Sequence, residues 1–221
     1  MMATEIVTQI IGWMAAILTI LFGLPQLYKV WKHKINTINL LGFYILYFSI
    51  VLWSIFGSTF VEKAINVVVS NILSFWILQL TIIFILKNRK EKKNFFIFTF
   101  LSTMLSSSVT VFDIVALIKD LQAKEWMSLL FSILAVSGTS FAFLPQTIKS
   151  IYKWNVIGIS SGMLFLGFFI NFLWEIFWFL IGNFSASIIY ILIVQIIAMV
   201  LYLIQIVIIF TNSKKRKKIK N

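Results

Sequence analysis

Cysteine is absent from all 221 residues, which excludes disulfides, thiolate nucleophiles and cysteine-held metals. Histidine occurs once, as His33, inside a basic stretch that offers it neither metal-ligand nor acid–base companions. Acidic residues number only seven, and proline appears only twice, as Pro25 and Pro145. Charged residues form 12% of the chain, against roughly a quarter in soluble domains. A chain so poor in charge cannot wrap its apolar residues in a hydrated surface. No nucleophile–base pair, glycine-rich phosphate loop or metal constellation is visible, so neither an enzyme nor a bound cofactor is expected.

What is present is apolar. Sixty-one per cent of the residues are hydrophobic and the mean hydropathy is +1.00, so lipid must be the solvent for much of the surface. Seven apolar segments of spanning length are expected, at about 6–28, 38–57, 64–86, 95–118, 127–149, 160–181 and 187–210. The fourth is crowded with hydroxyls, including Ser102, Thr103, Ser106 and Thr110, which a membrane helix tolerates by bonding them back to its own backbone.

The net charge of +12 does not point to nucleic acid, because its lysines abut apolar segments in short runs. Loops after the first, third and fifth segments, with the C-terminal stretch, hold 16 of the 19 basic residues, leaving Lys63, Lys119 and Lys124 opposite. The positive-inside rule then places the N-terminus outside and the C-terminus in the cytoplasm of a multi-pass cell-membrane protein, its cytoplasmic face attracting anionic lipid. No basic n-region or cleavage site precedes the first segment, which is expected to stay as a helix. Richness in Lys, Ile, Phe and Asn suggests a bacterial source.

Both prolines lie in matched surroundings: Gly23-Leu24-Pro25-Gln26 and Phe143-Leu144-Pro145-Gln146. Trp53-Ser54-Ile55-Phe56 begins 28 residues after the first proline, and Trp174-Glu175-Ile176-Phe177 begins 29 after the second. A repeat of about 120 residues with one odd span between the halves gives both halves the same orientation, related by an axis along the membrane normal. In this arrangement residues 1–90 and 123–213 are three-helix units, 91–122 a linker helix and 214–221 a basic tail. The fold class expected is therefore all-α, seven membrane helices in a 3+1+3 order. Each proline removes an N–H and presses on the carbonyl one turn back, predicting kinks in spans one and five. Gln26 and Gln146 are placed to bond the freed carbonyls, and the paired kinks read as hinges of a gate.

The paired Pro-Gln motifs, in register with the two Trp-x-Ile-Phe segments, resemble those of the PQ-loop superfamily, with the layout of the SWEET sugar transporters. The resemblance covers nearly the whole chain. It implies facilitated diffusion of a sugar by alternating access, with a pocket between the two units faced by a tryptophan and an asparagine from each. Trp53 and Trp174 match the tryptophan positions; Asn71 is the first candidate for the asparagine and Asn66 the second. The last span has no asparagine, and Gln195 stands in for it, with Asn171 one turn before Trp174 as a further amide.

Indole faces stack on the C–H faces of a sugar ring or on a cation, although either tryptophan could instead be an interfacial anchor. Buried amides give donors and acceptors to a polyol, and equally to a neighbouring helix. Two carboxylates fall within spans, where each costs on the order of 3 kcal/mol. Glu175 could bind a cation or carry a proton, which is the basis of a second expectation: a proton-coupled amino-acid or cationic-solute carrier, as in the cystinosin branch of the superfamily. Asp113 lies near the outer end of the linker helix and is expected to reach water. A third expectation, of another class, is a sorting or interaction receptor with the same seven-helix layout.

Overall fold

A chain that enters lipid must satisfy every backbone N–H and C=O within itself, so long apolar runs without breakers become helices. The computed structural model describes residues 2–34, 40–142, 144–153 and 161–218 and contains helices only among them. They are α1 (Met2–His33), α2 (Leu40–Thr59), α3 (Ile65–Asn88), α4 (Lys92–Ile118), α5 (Glu125–Phe141), α6 (Leu144–Tyr152), α7 (Ser161–Ile181) and α8 (Ala186–Lys218). Six of these, α1 to α4, α7 and α8, contain stretches long and apolar enough to cross a membrane. The outward side chains are large and apolar, among them Ile10 at 55% exposure, Phe100 at 65% and Phe169 at 53%. That surface suits lipid and not water. The chain is an all-helical, multi-pass membrane protein.

The expected fifth span, residues 127–149, is divided. α5 has 17 residues and stops at Phe141, a rise of about 25 Å against the ~30 Å hydrocarbon core. The next helix, α6, begins at Leu144. Pro145 thus stands in the first turn of α6, where its missing N–H has no intrahelical acceptor to lose. Pro25 behaves differently, since α1 runs through it without interruption. A continuous helix still bends where a proline removes one backbone bond, so the kink expected at Pro25 is compatible with an uninterrupted α1.

Helix contacts run α1 on α3, α3 on α2, α2 on α5, α5 on α8, α8 on α7, and α7 back on α1. Six helices therefore close a ring. α3 lies between α1 and α2, α8 lies between α5 and α7, and the two groups meet through α1 on α7 and α2 on α5.

α4 stands outside this ring against α2 and α3, and its hydroxyls explain why. Tyr47 pairs with Ser106 at 2.7 Å and donates to the Ser102 carbonyl at 3.1 Å. Ser106 donates to Gln79 Oε1 at 2.7 Å while Gln79 Nε2 donates to Thr103 at 2.9 Å. Hydrogen bonds of this kind stand in for the hydrophobic drive that lipid cannot supply between helices. Asp113 belongs to the same seam. It is fully buried, which corrects the expectation that it reaches water. Ser58 donates to its Oδ1 at 2.7 Å.

Candidate functional site

A ring of six helices leaves space along its axis, and the side chains turned inward decide what that space can hold. The cavity measures about 180 Å³, room for about six waters at the volume each takes in the liquid. A solute with a single ring of hexose size has about a dozen non-hydrogen atoms and fits this scale. Every helix of the ring lines it: α1 through Thr19, α2 through Trp53, α3 through Asn71, α5 through Thr139, α7 through Asn171 and Trp174, and α8 through Gln195 and Tyr202. The structure thus brings Trp53, Asn71, Asn171, Trp174 and Gln195 to one cavity, although they span 142 positions of sequence from 53 to 195.

Each polar group has a defined state. Asn71 Nδ2 donates to the Val67 carbonyl and Asn171 Nδ2 to the Gly167 carbonyl, both at 2.8 Å and both one turn back on the same helix. Their Oδ1 atoms accept no hydrogen bond among the described residues. Gln195 is buried, and its Oε1 is without a donor. Three amide acceptors therefore face, or lie at the edge of, a space lined otherwise by indoles and aliphatic chains. Of the three, Gln195 Oε1 is both buried and without a donor, a costly state that a ligand bearing hydroxyl or N–H donors relieves.

The two indoles are held in equivalent ways. Trp53 Nε1 donates to Thr139 Oγ1 at 3.2 Å, and Trp174 Nε1 donates to Thr19 Oγ1 at 3.0 Å. Each threonine in turn donates to an alanine carbonyl one turn back, Ala135 and Ala15. Each bond crosses from one half of the chain to the other, and each partner lies 120 or 121 residues from its twin. Sequence reading missed Thr19 and Thr139, although a signal was there: both precede the repeated proline by six residues. Replacing either threonine by valine is expected to strand an indole N–H and lower stability by about 1–3 kcal/mol. Thermal unfolding in detergent measures this; unchanged midpoints in both variants would remove the threonines from the argument.

One end of the cavity is shut. Trp53, Phe56, Phe60, Phe177 and Trp178 pack together between the C-terminal ends of α2 and α7, all nine-tenths or more buried. Beyond them, Asn183 in the α7–α8 turn donates to both carboxylate oxygens of Glu62 in the α2–α3 turn, at 3.0 and 2.8 Å. Gly182 makes the first of these turns possible with φ +73°, which a side chain would strain.

The remaining sequence candidates lie elsewhere. Asn66 is buried with Oδ1 on the Val67 N–H at 2.9 Å, facing Gly12 of α1 and not the cavity. Glu175 is half-buried beside Trp174 and is not part of the lining; its Oε2 has no partner. On a helix it points about 100° from Trp174, toward the flank of α7. Gly23 reaches the cavity, whereas Pro25 is exposed and Gln26 half-buried outside the lining. The side chains of Pro145 and Gln146 lie outside the described residues. No cluster of three metal-ligating side chains occurs among the described residues. No family model, curated protein or solved structure matches the chain.

Proposed function

We propose that this chain is a small-solute carrier that moves a neutral polyhydroxyl solute, a sugar, across a membrane by facilitated diffusion and alternating access. The carrying observation is the cavity along the axis of the six-helix ring, lined by indoles and amide acceptors and by no charged side chain among the described residues. A neutral polyol donates to those acceptors and lays its C–H faces on an indole. A cation in the same place would lose its hydration against dipoles alone.

In this reading α5 and α6 together form one span, giving seven in a 3+1+3 order with the N-terminus outside and the C-terminus in the cytoplasm. The aromatic cluster then closes the outer end. Pro25 and Pro145 with their glutamines act as hinges on the cytoplasmic side.

A second reading, a proton-coupled or cationic-solute carrier, is favoured by the buried, partnerless oxygen of Glu175. Uptake by purified protein in liposomes separates the two. Labelled glucose entering at a rate indifferent to an imposed pH gradient is the expected result. Arginine entry driven by the gradient and lost in Glu175→Gln would transfer the proposal to the cationic carrier. A folded protein that moves neither, yet retains a peptide or protein partner, would indicate a receptor.

A further inference from the structure

The two halves agree around their tryptophans up to one position. Trp53 meets Phe56 edge-on, with centroids 5.8 Å apart at 78°, and Trp174 meets Phe177 at 5.3 Å and 84°. The next residue breaks the pattern: Gly57 in the first half corresponds to Trp178 in the second, 121 positions on. Gly57 is held small by α3, since a Cβ there would stand 3.1 Å from side-chain carbons of both Val67 and Val68. At Trp178 the indole instead extends across the ring to the opposite helix. It stacks on Trp53 with centroids 6.0 Å apart and planes at 18°, against Phe56, Phe60 and Phe177, and is 1% exposed. It also lines the cavity.

The consequence is a lopsided site. Trp178 stacks, offset, on one side of Trp53, while no ring stacks on Trp174 among the described residues. The symmetry of the fold would supply two indole platforms, one from each half; this chain keeps one.

We propose that Trp178 is a specificity-determining residue: it caps the end of the cavity beside Trp53, seats the solute against Trp174, and limits the solute to one sugar ring. This inference rests on the polyol-carrier reading and adds a size limit to it. A second ring would need about as much space again as the cavity now offers, and the indole of Trp178 occupies the place into which it would extend. A fitted interior resists added volume, so the larger solute is rejected by strain and not by lost hydrogen bonds.

The test compares glucose with maltose in proteoliposomes carrying wild type, Trp178→Phe and Trp178→Ala, each checked for a monodisperse elution profile in detergent. Wild type is expected to favour glucose by about a hundredfold, the discrimination that about 2.8 kcal/mol of strain gives. Trp178→Ala is expected to reduce that preference to within about tenfold, with Trp178→Phe between the two. A merely structural tryptophan would change both fluxes together and leave their ratio alone. Variants that carry glucose and still exclude maltose to the wild-type degree would overturn the size filter while leaving the carrier reading intact, as would a wild type that passes both sugars equally. A folded wild type that moves neither sugar would overturn both. If the alanine variant fails to fold, the phenylalanine variant decides by the same ratio.

Discussion

Gly12→Ala is expected to lower the thermal midpoint of the detergent-solubilised protein by roughly 5–10 °C, the shift that about 2–3 kcal/mol of overpacking produces in a chain of this length. Gly12 lies where α1 crosses two neighbours at once. A Cβ there would fall on Asn66 Nδ2 from α3 and stand 2.7 and 2.8 Å from two ring carbons of Phe177 on α7. Neither neighbour can yield freely. Asn66 is buried, with Oδ1 engaged by the Val67 N–H. Phe177 is 2% exposed and wedged between Trp174 and Trp178 at 5.3 and 5.0 Å. Pushing α1 outward would loosen both its seams and lengthen the bond from Trp174 to Thr19, so transport should fall with stability. Gly23→Ala is the control: its closest contact, Ile77 Cγ2 at 3.1 Å, is the methyl of a single side chain. Equal midpoints for Gly12→Ala and wild type would mean that α1 is not held at this crossing.

Trp174→Ala is expected to reduce sugar flux by about a hundredfold, and Trp53→Ala by about tenfold, a difference of roughly 1.4 kcal/mol. Both variants lose a buried indole and its bond to a threonine, so the packing term is shared. They differ in what the indole offers the solute. Trp174 has an unstacked ring, whereas Trp178 stacks, offset, on one side of Trp53 at 6.0 Å. Stacking on a free face adds about 0.5–1.5 kcal/mol beyond area burial, and only Trp174 can contribute it in full. Trp174→Phe should recover part of the flux, since a phenyl ring stacks although it cannot donate to Thr19. Uptake measured below saturation for the three variants is the check; equal losses at Trp53 and Trp174 would contradict the lopsided site.

Both expectations depend on distances that no pattern in the chain discloses, and this separates the two sources of information. Composition alone placed the chain in lipid, because charge at 12% and hydrophobic residues at 61% cannot be arranged otherwise. Hydropathy then located six spanning helices, because a backbone in hydrocarbon has no other way to pair its polar groups. The duplicated Pro-Gln and Trp-x-Ile-Phe segments singled out Trp53 and Trp174, and a careful alignment of the halves would also have found Thr19 and Thr139. These are local or periodic properties, and a linear sequence carries them in full.

The tertiary structure decided everything that depends on which faces meet. Asn66 and Asn71 are five residues apart on one helix, yet one faces Gly12 and the other the cavity, because α1 covers one side of α3 and leaves the other open. Asp113 and the hydroxyls of α4 looked like exposed or self-satisfied groups, and they form the seam that binds α4 to α2 and α3. Pro25 and Pro145 share a motif, yet the first lies inside α1 and the second in the first turn of α6. Trp178 was invisible to a reading based on repeats because its twin is a glycine. The sequence by itself determined the solvent and most of the helices; packing across the ring decided the site, because side-chain contacts between distant segments are set by how helices cross and not by the order in which they are written.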